Sequence, residues 1–240
     1  MTKKYIVFDL DETLGNFVQL GIFCDVIENV FRVNLSQTGF NEMCDTFHHF
    51  FRPHLFNILE TINVHKKYNP HINLAIYTNN VGNQSWTHKL KTYMETKVGT
   101  LLFDRVICAY KNMDNQMEVC RSTSQKCPQD LARCVNSPQN AKFIFFDDQH
   151  HPLMAHPQVT YFRTKPYTYF YPFNNMIDLF LKTQTAKQLL HKCTPVTRYE
   201  LLNEFDKYNY KERKINSQEY NIDIIVSKKI NEHIYLFINT

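Results

Sequence analysis

The sequence predicts an α/β fold built on a central parallel sheet, and three observations carry that prediction. Short apolar runs of strand length recur along the chain, apolar residues at helical spacing fill the intervals between them, and acidic residues follow directly on two of the runs. Runs that are apolar on every residue are what strands buried on both faces of a parallel sheet require, and helices between them are the crossovers such a sheet needs. With 240 residues the chain can bury one full α/β core and carry a small appendage.

The first strand is Tyr5, Ile6, Val7, Phe8 and Leu10. Further strands are predicted at 72–77, 105–110 and 142–146, with a fifth at 159–162. Between the first two, Leu20, Phe23, Ile27, Val30 and Phe31 repeat at helical spacing, as do Phe40, Met43, Cys44 and Phe47, so residues 14–49 read as a small helical insertion. Pro53 suits the first turn of a third helix with Leu55, Ile58, Leu59 and Ile62 as its stripe. Trp86, Leu90, Tyr93 and Met94 mark the next helix, the polar stretch 111–125 is a loop, and another helix starts near Pro128. A helix over 175–182 closes a domain of residues 1–182. Residues 183–240 form a C-terminal α+β extension, with a helix over 199–207 and a hairpin pairing 222–226 with 234–238.

Composition narrows the class. Forty-three per cent hydrophobic and 21% charged residues place the chain among globular proteins and outside disordered ones. A formal charge of +4 permits an anionic substrate without calling for nucleic acid. The nearest candidate for a signal segment is six residues long and already contains Asp9, so neither a signal peptide nor a membrane span is expected, and the protein is placed inside the cell, in cytoplasm or nucleus. The seven cysteines, Cys24, Cys44, Cys108, Cys120, Cys127, Cys134 and Cys193, are an odd number without a C-x-x-C pair, and reduced thiols are the simplest expectation.

The strongest chemical signal is Asp9-Leu10-Asp11-Glu12-Thr13 directly after the first strand. Ligands of open α/β folds bind outside the carboxyl ends of the strands. Alternation of the chain turns Leu10 away and returns Asp11 to the mouth that Asp9 occupies, so two carboxylates can share one phosphoryl group, one as nucleophile and one as proton carrier. Phe145-Phe146-Asp147-Asp148 places a second acidic pair at the end of another strand, where hard carboxylate oxygens suit magnesium.

Phe8 to Leu14 resembles the first motif of the haloacid dehalogenase (HAD) superfamily, in the form found in the FCP/SCP phosphatases of the RNA polymerase II carboxy-terminal domain. Arg52-Pro53 is similar to that family's segment before the second strand, Ile76-Tyr77-Thr78-Asn79 to its second motif, and Phe145 to Asp148 to its fourth, in the family's order over residues 4–182. The resemblance implies a magnesium-dependent phosphatase acting on phosphoserine or phosphothreonine in proteins. It implies Asp9 as nucleophile, Asp11 as general acid and base, and Thr78 and a lysine as catalytic phosphate ligands. Thr13 and Asn79 are expected at the substrate, and Asp9, Asp11, Asp147 and Asp148 at the metal. For the lysine, Lys126 is the choice because it stands just before the Cys-Pro-Gln-Asp-Leu helix start, with Lys111, which follows the third strand more closely, as the alternative. Phosphatases for nucleotides or nucleic-acid ends, and a binding module on an inactive fold, are the competing readings. Helices over 14–49 depart from the hairpin flap of the smaller family members. His150 and His151 read as ordinary loop residues, and the basic and aromatic stretch 163–171 as packing rather than a nucleic-acid groove.

Overall fold

The computed structural model describes residues 2–192, 196–211 and 217–240. Its centre is a five-stranded, all-parallel sheet of β1 (Lys4–Phe8), β2 (Ile72–Tyr77), β3 (Arg105–Ile107), β4 (Lys142–Asp147) and β5 (Val159–Arg163), in the order β3-β2-β1-β4-β5. From β1 the chain builds outward through β2 to β3 on one side and then through β4 to β5 on the other. The direction of winding therefore reverses between β1 and β4, at the topological switch point where such sheets open a crevice for ligands. Register is tight there: Phe8 is level with both Ile76 and Phe146, and the Asp9 N–H donates to the Phe146 carbonyl at 2.9 Å.

Helices α1 (Val18–Phe31), α2 (Gln37–Thr46), α3 (Leu55–Tyr68), α4 (Gln84–Val98), α5 (Pro128–Cys134), α6 (Phe173–Phe180), α7 (Gln184–Lys192), α8 (Arg198–Asp206) and α9 (Ser217–Asn239) account for the predicted helical stripes and more. Local chemistry explains several of their ends. Ser36 caps α2 by accepting the Gly39 N–H, Pro128 opens α5, Gly99 ends α4 at φ 76°, and Thr197 with Glu200 forms a capping box on α8.

The chain divides into two compact units. One comprises residues 1–15, 52–167 and 221–240, and the other residues 16–51 and 168–220. The first holds the sheet. On one of its faces Tyr5, Val7, Ala75, Tyr77, Ile107, Phe143 and Phe145 pack with Leu131 of α5. On the other, Phe8, Phe146 and Phe162 stack in a row at 5.2 and 5.6 Å, and His233 of α9 stacks on Phe162 at 3.9 Å. The second unit is helical and closes around Phe23, whose ring meets Phe47, Phe180 and Phe205 at 5.1 to 5.6 Å.

Two expectations are corrected. The hairpin predicted within 222–238 does not form, because α9 runs through it as one helix. The buried positions Asp223, Ser227, Ile230, Ile234, Phe237 and Ile238 advance by three and four residues, which is a helical stripe. The isoleucine clusters had looked like strands because β-branched residues dominate them. The thiols are not all reduced either: Cys120 and Cys134 are joined in a disulfide, while Cys24, Cys44, Cys108 and Cys127 are buried and Cys193 lies outside the described residues. Among the described residues no helix is long and apolar enough to cross a membrane.

Candidate active site

At the carboxyl edge of the sheet, over the switch point, a cleft of about 290 Å³ is lined by Asp9, Asp11, Glu12, Thr78, Asn79, Asn80, Lys126, Asp147, Asp148, Gln149 and His151. All of these belong to the sheet-bearing unit. Asp9 follows β1 and Asp147 ends β4, so adjacent parallel strands deliver two carboxylates side by side. Lys126 lies between them. Its ammonium is bonded to Asp9 Oδ1 and sits 2.6 Å from Asp147 Oδ2, with the side chain 1% exposed. The rings of Tyr77 and Phe145 flank it at 5.6 and 5.5 Å. The Cys127 N–H donates to the Tyr77 hydroxyl at 3.3 Å, which fixes the main chain next to this lysine.

The structure thus brings Asp9, Asp11, Thr78, Asn79, Lys126, Asp147 and Asp148 to one cleft. Lys111 is exposed on the loop after β3 and is not among the lining residues. Thr13 sits behind the cleft with 1% exposure: its hydroxyl accepts the Asp148 N–H at 3.1 Å and faces Asp148 Oδ1 at 3.5 Å. Its placement makes it a support for the acidic pair.

Asp11 is held at one oxygen. Asn80 Nδ2 donates to Asp11 Oδ2 at 2.7 Å, while Oδ1 is buried without a partner. Asn80 is itself fixed, its N–H donating to the Thr78 hydroxyl at 3.0 Å. Sequence reading missed Asn80, although its place two residues beyond Thr78 was a signal. His151 also lines the cleft, with its Nε2 3.0 Å from Asp147 Oδ2.

The loop that carries Asp11 is shaped from below. Glu12 adopts φ 58°, and its carbonyl accepts the Tyr167 N–H at 2.7 Å. Arg52, buried on the segment before α3, donates to the carbonyls of Thr13 at 2.5 Å, Glu12 at 2.9 Å and Lys165 at 2.8 Å. Burial pulls this guanidinium down to about 10. Asp223 of α9, buried and paired with Lys165 at 2.8 Å, supplies the largest opposing negative charge.

Crowded acids in a low-dielectric site resist ionising together. Burial pushes the Asp9 carboxyl up to about 7, opposed by Lys126 and reinforced by Asp147. Burial also raises Asp11, against the hydrogen bond from Asn80, and raises Asp148. Asp147 goes the other way: burial would raise it, but His151 and Lys126 more than offset that. Asp9, Asp147 and Asp148 each offer a carboxylate oxygen, all within 4.8 Å of one another. An all-oxygen, anionic donor set of this kind fits a hard divalent cation such as magnesium.

No protein-family model matches this chain, and no curated protein does. Among solved structures it is similar to the HAD domain of the effector protein Lem4 from Legionella pneumophila, at 12% identity and a TM-score of 0.42, over 80% of this chain and 96% of that one. An inactive mutant of the same domain gives 12% identity and 0.42 over 88% and 100%. The chemistry therefore has to be read from the site's own residues.

Proposed function

We propose that this protein is a magnesium-dependent phosphatase that transfers phosphate through Asp9. The observation that carries the reading is the arrangement at the switch point: Asp9 and Asp147 share buried Lys126, Asp11 stands two residues beyond Asp9, and Thr78 lines the same cleft.

In the first half of the reaction a carboxylate oxygen of Asp9 attacks phosphorus, the bond from phosphorus to the ester oxygen breaks, and the departing alcohol takes a proton from Asp11. Asn80 fixes one Asp11 oxygen and leaves the other available for that proton. In the second half Asp11, now ionised, removes a proton from water, whose oxygen attacks phosphorus and releases inorganic phosphate and Asp9. The Thr78 hydroxyl and the Lys126 ammonium would bind the phosphoryl oxygens as their charge redistributes. Magnesium, held by Asp9, the Asp147 and Asp148 pair and the main-chain carbonyl of Asp11, would supply the positive charge that lets a phosphate dianion approach these carboxylates.

Phosphoserine or phosphothreonine in a protein is the substrate class we assign. A cleft of about 290 Å³ falls at the small end of ligand pockets, which run roughly 300–1,000 Å³, and so suits a phosphoryl group whose parent molecule stays outside. The motif form points the same way.

The test is side-by-side turnover of phosphoserine peptides, mononucleotides and 3′-phosphorylated oligonucleotides, with magnesium and with chelator, using Asp9→Asn to subtract background. Peptides should give the highest kcat/KM, and chelator should abolish turnover. If nucleotides lead by about tenfold, a gap of roughly 1.4 kcal/mol, the peptide assignment falls. Wild-type turnover no greater than that of folded Asp9→Asn would sink the phosphatase reading itself.

A further inference from the structure

Arg121 stands in the loop between β3 and α5, outside the cleft lining and only 4% exposed. A buried guanidinium ordinarily pairs with a carboxylate, since taking the charge out of water costs several kcal/mol. This one donates instead to main-chain carbonyls: Nη1 to Thr78 at 3.2 Å and Cys108 at 3.0 Å, and Nη2 to Ser124 at 2.9 Å. Its Nε is buried without a partner.

The three carbonyls come from three segments that the site must hold together. Thr78 follows the tip of β2, Cys108 follows β3, and Ser124 lies two residues before Lys126 on the loop that delivers the ammonium. The Thr78 N–H is tied on its other side to the Ile107 carbonyl at 2.9 Å, so the threonine is gripped at both ends. Arg121 also lies 4.8 Å from the centre of the Tyr77 ring, which lies 5.6 Å from Lys126.

Resting on the phosphatase reading above, we infer that Arg121 is a positioning residue for the reaction: it sets the distance between the Thr78 hydroxyl and the Lys126 ammonium so that both meet one phosphoryl group. It acts through those two residues and does not touch substrate. The planar fork is what the task requires, because donors spread across one plane can reach carbonyls on separate segments, whereas a lysine ammonium concentrates its charge at one point. Displacements of about 1 Å at a reacting centre can cost on the order of 100-fold in rate.

The experiment compares wild type with Arg121→Lys by kinetics on a phosphoserine peptide, by calorimetric titration of inorganic phosphate in magnesium buffer, and by thermal melting. We expect Arg121→Lys to melt cooperatively, with kcat reduced about 10- to 100-fold, KM changed less, and phosphate affinity at least fivefold weaker. A residue that merely stabilised the fold would lower the melting temperature and leave kcat and phosphate affinity of the folded fraction intact, and that result overturns the inference. Should the variant not fold, nuclear magnetic resonance on wild type decides. The Thr78 amide and Arg121 guanidinium signals should both shift on phosphate addition, and fixed signals count against the role. Wild type that hydrolyses peptide while Arg121→Lys matches it leaves the phosphatase reading standing and removes this one. Wild type that binds phosphate but hydrolyses nothing removes the phosphatase reading, and the affinity ratio then judges Arg121 alone. Wild type that does neither overturns both.

Discussion

Replacing Arg52 by methionine should damage stability and turnover together, and the structure sets the scale. Arg52 makes three charge-assisted hydrogen bonds, to Thr13, Glu12 and Lys165. At roughly 1.5–3 kcal/mol each these amount to about 4.5–9 kcal/mol gross. Against them stands the cost of burying the cation, visible as the fall of its pKa from 12.5 to about 10. At about 1.4 kcal/mol per unit that is roughly 3.5 kcal/mol. Methionine escapes the desolvation cost but strands three carbonyls, that of Thr13 in a buried setting and those of Glu12 and Lys165 in part-buried ones, so a net loss of about 1–5 kcal/mol is expected. For a chain of this length that corresponds to a fall in Tm of roughly 2–20 °C. Because two of those carbonyls belong to the turn after Asp11, kcat should fall as well, by about tenfold or more. Urea denaturation followed by circular dichroism gives the stability, and peptide turnover gives kcat below the melting range. Arg52→Lys, able to keep the charge but not the fork, should fall between. A methionine variant within 1 kcal/mol and twofold of wild type would refute the claim that this guanidinium shapes the nucleophile loop.

Lys126→Ala should lower kcat by about 10²- to 10³-fold, the scale of losing one preorganised charge-stabilising donor, while Lys111→Ala stays within twofold. Equal losses in a peptide turnover assay would undo the choice between them. Asp11→Asn should slow turnover by roughly 10²- to 10⁴-fold with Asn80 still able to bond its amide oxygen, and a rate within threefold of wild type would remove Asp11 from proton transfer. Reducing the Cys120–Cys134 disulfide, which spans 14 positions, should cost about 3 kcal/mol by the loop-entropy estimate. Urea midpoints with and without dithiothreitol read this directly, and Cys134→Ser should show no further response to reductant.

Legibility in the sequence followed burial pattern. The strands could be read because β1, β2 and β4 are nearly continuous runs of buried residues, the signature of a central position in a parallel sheet. Asp9, Asp11, Asp147 and Asp148 were legible because each pair stands at a strand end, where sheet geometry alone fixes what meets what. Lys126 could be preferred to Lys111 on its place before a helix start but not fixed by spacing, since loop lengths vary freely and a lysine stem reaches far. In the structure Lys126 pairs with Asp9 and Asp147 inside the cleft while Lys111 is exposed outside its lining, a difference no spacing rule encodes. Arg121 left no trace because its partners are main-chain carbonyls, available from any residue type. The α9 error came from weighing β-branched composition over the three-and-four spacing of buried positions. The missed disulfide came from cysteines that are distant in pattern but adjacent in the fold.

The charges of the cleft tie the metal and the substrate together, and this can be measured without turnover. Four carboxylates, Asp9, Asp11, Asp147 and Asp148, line the cleft beside Lys126, so negative charge crowds there, and burial answers by raising Asp9, Asp11 and Asp148. Phosphate alone should meet repulsion there, and a divalent cation alone should bind the carboxylates without the phosphoryl oxygen that completes its shell. Each relieves the penalty on the other. Linkage requires the two effects to be equal: if magnesium tightens phosphate binding by some factor, phosphate must tighten magnesium binding by the same factor. Inorganic phosphate and magnesium titrated calorimetrically in both orders should give matching factors of roughly 10-fold or more, equivalent to a coupling of about 1.4 kcal/mol, within the usual range for coupled sites. Asp147→Ala should abolish the coupling while leaving the fold intact. Phosphate bound as tightly in chelator as in magnesium would mean that Lys126 suffices to neutralise the site, and the metal requirement would then fail on thermodynamic grounds.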